Sequence, residues 1–265
     1  MMQQNATVVW NRPVGGDCYR LGLDCPEGYA SAGPGQFVMV QVDRPPELLL
    51  RRPFSIFGLI DDGPRPKGIE LLYKVVGRGT RQLAKVRTGQ TISVLGPLGR
   101  GFQVDSRKTL WFLAAGGIGV APIRFLALRM HAMGLPAANI RVFLGGQSQK
   151  DLLCRDEFEA MGLPVQVTTD DGSAGDQCLI TDPLETAVAE DPPDMVYACG
   201  PHGMLQCVAG IVQRHKVACQ VSVETMMACG IGACLGCAVE SARQKDRYLH
   251  VCMNGPVFAV EELVL

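Results

Sequence analysis

The hydrophobic pattern of this chain changes character once, near residue 109. Up to about residue 104, short apolar or alternating runs at 37–42, 55–60, 69–76 and 91–95 are separated by the turn-formers GPG, DRPP, DDGPRPKG and GPLGRG. Short strands punctuated in this way predict a small antiparallel β-barrel. One stretch, 80–86, reads as a lone short helix. From residue 109 apolar strands at 110–114, 141–144, 165–169, 195–198 and 220–223 alternate with helical segments at 120–133, 155–161, 179–189 and 204–216. That alternation, at roughly 25–30 residues, predicts βαβ crossovers and a parallel sheet. The stretch after Glu224 has little helical periodicity. The expectation is a multi-domain chain: a β-barrel over 1–104, an α/β parallel-sheet domain over 105–223 and a terminal segment over 224–265.

Composition narrows the classes of function. With 265 residues, 47% hydrophobic and 19% charged, the chain has apolar surface for a sizeable core and is not disordered. A net charge of −1 gives no electrostatic reason to bind nucleic acid or an anionic membrane. The longest apolar run, 110–123, is too short to span a bilayer and holds three glycines. The N-terminus shows no basic region followed by an apolar core, so a soluble cytoplasmic protein is expected.

Cysteine changes the picture. Eleven in such a chain are not expected to be disulfides, because the cytoplasm keeps thiols reduced. Seven are scattered and read mostly as core residues. The other four, Cys229, Cys234, Cys237 and Cys252, have the spacing C-x4-C-x2-C-x14-C, with Gly230, Gly232 and Gly236 interleaved in the loop. Glycine allows the unusual backbone angles and close approach that wrapping a metal–sulfur core requires, and amide N–H groups there can donate to its sulfurs. The spacing is that of a plant-type 2Fe–2S centre. A structural zinc is the alternative, although zinc sites usually pair two short cysteine knuckles and Cys252 has no such partner.

Two stretches suggest nucleotide binding. LWFLAAGGIGVAPI is an apolar strand, a glycine turn and a helix start, in which Gly116, Gly117 and Gly119 would admit a pyrophosphate. The later strand ends in Cys199, Gly200 and Pro201 at the carboxyl edge of the same predicted sheet, where open α/β sheets bind ligands. In the barrel, Arg52 and Ser55 precede a Gly79–Thr80 pair at a helix start, a second arrangement able to hold phosphate. On these residues alone an edge strand with solvated Arg51 and Arg52 explains the barrel stretch better.

Together, RPFS at 52–55, LYKVVGRGT, AGGIGVAP and ACGP resemble the ferredoxin–NADP reductase family. The cysteine spacing, TDDGS at 169–173, ETMMACGIGAC at 224–234 and VCMNGPVF at 251–258 narrow this to a resemblance to the electron-transfer subunits of B-type dihydroorotate dehydrogenases. Phe54 and Asn254 depart mildly from that pattern, where a smaller aliphatic and an aspartate are expected. The resemblance implies FAD held by Arg52, Pro53, Phe54, Ser55, Leu72, Tyr73, Lys74, Gly79 and Thr80. It implies a 2Fe–2S cluster on the four cysteines and NAD at Gly116, Gly117, Gly119, Cys199, Gly200 and Pro201. Cys199 and Glu224 are the catalytic candidates, with a surface carboxylate the equal alternative for Glu224.

The implied electron flow runs from dihydroorotate to FMN in a partner, then through the cluster and FAD to NAD+. Dihydroorotate oxidation resembles the work of a TIM barrel, which takes about 250 residues by itself, so an FMN-containing catalytic subunit is the implied partner, in a heterotetramer with two of each. Reductase subunits of hydrogenases, sulfide dehydrogenases and ferredoxin–NADP complexes would share all three cofactor sites, but the VCMNGPVF ending disfavours them. A zinc-stabilised binding module would leave both phosphate sites unexplained. NAD is preferred to NADP because Asp151 follows the second strand of the α/β domain and no arginine appears until Arg155, with Lys150 leaving the matter open.

Overall fold

The computed structural model describes residues 2–25, 28–41, 49–61 and 66–265. The barrel consists of β1 (Met2–Gly15), β2 (Cys18–Asp24), β3 (Phe37–Gln41), β4 (Arg52–Asp61), β5 (Pro66–Lys74) and β6 (Thr91–Leu98), closed in the order β1-β2-β5-β4-β3-β6. Every barrel pairing is antiparallel. A tight turn through Gly15, Gly16 and Asp17, all at positive φ, joins β1 to β2. β6 alternates buried positions with exposed or half-buried ones along its length, as a strand with one face on a core must. The expected lone helix is α1 (Arg78–Leu83), starting two residues earlier than its apolar pattern suggests. The expected strand end at Val42 and the turn residues 43–46 and 62–65 lie outside the described residues.

The second sheet begins at β7 (Trp111–Gly116), every residue of which is buried. Helices cover both faces of a parallel sheet, which is why such a strand reads as one apolar run. β7 is followed by a 3-10 turn (Gly117–Gly119) and α2 (Val120–Ala132), then β8 (Ile140–Gly146), α3 (Arg155–Ala160), β9 (Val165–Thr169), α4 (Thr181–Glu190), β10 (Met195–Cys199), α5 (His202–His215) and β11 (Cys219–Ser222). The terminal segment adds a two-stranded ribbon of β12 (Ala238–Glu240) and β13 (Tyr248–His250), then α6 (Val251–Asn254) and β14 (Val257–Ala259). The sheet order is β14-β11-β10-β7-β8-β9, parallel except for β14. β14 had no signal in the sequence: three residues are too few for a periodicity, and its place is fixed by pairing with β11. The terminal segment is thus stitched into the α/β sheet.

One apolar cluster joins all three parts, uniting Phe37, Met39 and Leu98 of the barrel with Ala198 and Val221 of the sheet and Cys237, Cys252 and Phe258 of the terminal segment. Among the described residues no helix is long and apolar enough to cross a membrane.

Candidate functional site

The pairing of β4 with β5 runs from Asp61↔Pro66 to Ile56↔Leu71 and goes no further. Residues 52–55 keep β3 on one side, and 72–74 keep β2 on one side. Beyond that point the two strand ends share no ladder pairs and form the lips of an opening in the hydrogen-bonded wall of the barrel, bridged by Phe54 packed on Tyr73. Gly79 closes its end, close against Arg52: a Cβ there would lie 3.2 Å from Nε of Arg52. Arg52 also donates to the carbonyl of Leu50 at 2.7 Å. Every residue expected to hold FAD therefore lies on a lip or at the end of one opening.

Their side chains are committed unevenly. Leu72 and Tyr73 are buried, and Tyr73 donates its hydroxyl to Oδ1 of Asn11 at 2.9 Å, stacks on Tyr19 and packs against Phe54. The Thr80 hydroxyl accepts the N–H groups of Val76 and Gly77 at 2.9 and 3.1 Å and closes the turn into α1. Lys74 donates to Oδ1 of Asp151 at 2.8 Å. The carboxylate of Asp151, whose acidity after the second strand favours NAD over NADP, is held across the seam between barrel and α/β domain.

The two halves of the expected dinucleotide site meet. A Cβ on Gly116 would lie 2.8 Å from Cδ of Pro201, and one on Gly200 would lie 3.1 Å from the backbone N of Gly116. A Cβ on Gly119 would lie 2.4 Å from the Cys199 carbonyl, so only glycine lets this turn approach the end of β10. Gly117 has φ +52°. The turn at Gly117–Gly119 lies against β5 of the barrel.

Cys199 is buried, and burial first, then the charge of Glu224, pushes its thiol up to about 12. It is a thiol, not a thiolate, at neutral pH. Glu224 is exposed to solvent, yet the protein atoms crowded around its carboxyl desolvate it and raise its pKa. The sequence candidates Cys199 and Glu224 are thus neighbours. Between Glu224 and the cysteine loop, the buried hydroxyl of Thr225 has no hydrogen-bond partner, a feature no sequence signal revealed.

The cysteines fall into two pairs. Sγ of Cys237 lies 3.3 Å from Sγ of Cys252, both buried. Cys229 accepts a contact from the backbone N–H of Cys234 at 3.4 Å and another from that of Ile231 at 3.4 Å. Gly232 donates to Sγ of Cys252 at 3.2 Å. Burial pushes the Cys229 thiol up, but the donors of Ile231 and Cys234 outweigh it and bring it down to about 6. Gly230 and Gly232 adopt positive φ as expected; Gly236 does not, and Leu235 takes the left-handed conformation instead. Among the described residues no three His, Cys, Asp or Glu side chains surround one point able to hold a metal ion. Of the scattered cysteines, Cys18, Cys25, Cys199 and Cys219 are buried and Cys207 is exposed.

A family model described as the iron-sulfur cluster binding domain of dihydroorotate dehydrogenase B matches residues 224–264. A second, the oxidoreductase NAD-binding domain, matches 113–210. The dihydroorotate dehydrogenase B (NAD(+)) electron transfer subunit of Listeria monocytogenes serotype 4a is 38% identical over 268 residues, covering 100% of both chains. That of Caldanaerobacter subterraneus subsp. tengcongensis is 36% identical over 263 residues, 99% of this chain and 98% of its own. This chain belongs to that electron-transfer subunit family. A family member of this kind is an oxidoreductase subunit that works with a catalytic partner subunit, carrying an iron–sulfur domain and an NAD-binding domain. Among solved structures, one of the NADH-dependent reduced ferredoxin-NADP oxidoreductase superposes with a TM-score of 0.83 at 28% identity, covering 98% of this chain and 89% of that one. Phthalate dioxygenase reductase shares the fold, with a TM-score of 0.61 at 20% identity over 80% of this chain and 64% of its own.

Proposed function

We propose that this electron-transfer subunit links dihydroorotate oxidation, carried out by an FMN-containing partner in an assembly of two subunits of each kind, to NAD+ reduction. FAD would lie in the barrel opening between 52–55 and 72–74, with Gly79 and Thr80 at its end. NAD would meet it from the turn at Gly116, Gly117 and Gly119 and from Cys199, Gly200 and Pro201. Cys229, Cys234, Cys237 and Cys252 would hold a 2Fe–2S cluster. The observation that carries the reading is the arrangement of the four thiols as two pairs, one buried and one facing solvent, each with backbone donors. Two pairs suit two metal atoms, each with two cysteine ligands, where a structural zinc would draw all four thiols around a single point.

When bound, a flavin exchanges electrons singly or in pairs, the cluster singly and the nicotinamide as a hydride, so the three together join one-electron to two-electron chemistry. The chain's own residues set the conditions. Gly116, Gly119 and Gly200 let backbone approach backbone where a pyrophosphate would sit. The buried Cys199 thiol presents a neutral surface, and the desolvated Glu224 holds its proton to a higher pH than a free carboxylate. Amide donors to the cysteine sulfurs stabilise the anionic ligands a cluster needs.

The rim of the cysteine loop supports docking of the partner there. Met226 is 90% exposed and Leu235 57%, with Met253 and Ile231 also exposed beside the solvent-facing thiols. Large apolar side chains gathered in this way mark an interaction surface. Purified alone, the chain should form no NADH from dihydroorotate and NAD+, and adding the FMN-containing partner should restore turnover. NADH formation by the chain alone would refute this division of labour.

A further inference from the structure

Nothing covalent fixes the flavin opening against the nucleotide turn except the linker between β6 and β7, so contacts across the seam must set their geometry. One cluster of side chains joins the two elements that carry the proposed cofactor sites. Phe57 lies on β4, two residues past Ser55, and is fully buried. Arg124 lies on α2, one turn past the nucleotide turn. Its guanidinium stands 4.3 Å from the Phe57 ring centroid and donates to the Phe57 carbonyl at 3.3 Å. Arg20 of β2 stacks on the same ring at 4.8 Å. Glu157, in the first turn of α3, accepts from Arg124 at 2.6 and 3.0 Å and from Arg20 at 3.0 Å. Arg20 is held in turn by a two-pronged pair with Glu70, both bonds 2.8 Å.

The neighbouring residues are fitted to this cluster. A Cβ on Gly58 would lie 2.9 Å from the Arg124 guanidinium. Phe125, next to Arg124, belongs to the apolar core of the barrel. Two guanidinium groups balanced by two carboxylates form a neutral, directional clamp, and arginine's planar fork both stacks and bonds in fixed directions. We infer that Glu157, Arg124 and Arg20, closed around Phe57, are positioning residues that hold the nucleotide turn in register with the flavin opening for hydride transfer. Arg124 and Glu157 belong to neither proposed cofactor site, and Arg20 meets the flavin lip only as the β2 ladder partner of Leu72. They act through β4 and α2, whose relative placement decides the distance between donor and acceptor.

The inference rests on the function proposed above, and its test separates the two. Glu157→Gln removes a charge but leaves the Arg20–Glu70 pair, and Arg124→Lys keeps the charge but loses the fork and the stacking. In the flavin-loaded full-length chain, a hydride carrying two electrons leaves NADH and reduces the flavin, giving NAD+. Its rate constant at saturating NADH should fall about ten- to a hundredfold in both variants, the loss an ångström of misplacement brings, with NADH affinity held within about twofold. In the flavin-free chain, hydrogen exchange at 52–58 and 117–124 should quicken in both. An unchanged rate constant, with only a lower melting temperature, would reduce the clamp to a stability device and overturn the inference. Should NADH fail to reduce the wild-type flavin, the functional reading falls, and unchanged exchange in the variants would dispose of the clamp as well.

Discussion

The barrel meets the rest of the molecule along two apolar seams, of which one carries a charged network. Against the α/β domain an apolar layer that includes Phe57, Leu72, Val120 and Phe125 is pinned by charged, directional contacts: Arg20, Arg124 and Glu157 around Phe57, and Lys74 on Asp151. Against the terminal segment the contacts are apolar and close, with Phe37, Met39 and Leu98 in one cluster with Cys237, Val251 and Cys252. Gly230 of the cysteine loop sits on Met39, where a Cβ would fall 2.5 Å from the Met39 Cγ. Met39 in turn pairs with Pro53 on the lip of the flavin opening. Partly exposed ion pairs add little stability, so what they add to the first seam is orientation. Apolar packing has no preferred direction but excludes water and sets distance, so the second seam contributes closeness. Hydride transfer is sensitive to angle and alignment, and electron transfer to separation. Each seam matches the demand of the transfer proposed to cross it.

The comparison can be broken most severely at the buried thiol pair. Cys252→Ser should abolish the cluster, seen as loss of its visible absorption and bound iron, and with it electron exchange with the partner. NADH should still reduce the flavin in this variant, because the charged seam is untouched. Loss of both together would mean the seams are not separable.

A smaller effect sharpens the apolar side. Gly230 has φ +73° and no room for a Cβ, so Gly230→Ala should destabilise the loop by about 1–2 kcal/mol from backbone strain alone. The overlap with Met39 adds to that. Thermal melting and retention of iron on dilution would show it, and unaltered values would mean the loop is not seated on Met39.

The smallest effect falls on the charged side. Lys74 is 38% exposed, and Lys74→Ala should cost about 0.2–1 kcal/mol, a difference that shrinks as salt is added. A large, salt-independent loss would show instead that Lys74 holds a ligand rather than Asp151.

These seams differ also in how far the sequence disclosed them. The cysteine spacing, the glycine turn and the strand–helix alternation are local patterns, and each appears where the chain suggests it. Residues such as Cys199 and Glu224 were legible because each stands beside a motif. The clamp was not. Arg20, Arg124 and Glu157 are single charges on ordinary elements, and the Arg20–Glu157 bond spans 137 positions of sequence. Asp151 shows the same limit in reverse: its acidity after β8 favours NAD over NADP, while its partner Lys74 comes from a different sheet. Gly236 and Leu235 exchanged roles because the turn needs one left-handed residue, and the sequence does not say which position supplies it.

The most direct test of the account is iron, sulfide and flavin analysis of the anaerobically purified chain, with its absorption spectrum recorded before and after NADH. Two irons, matching sulfide and one FAD per chain, bleached by NADH, are the predicted result. A colourless protein holding zinc on the four cysteines would contradict it.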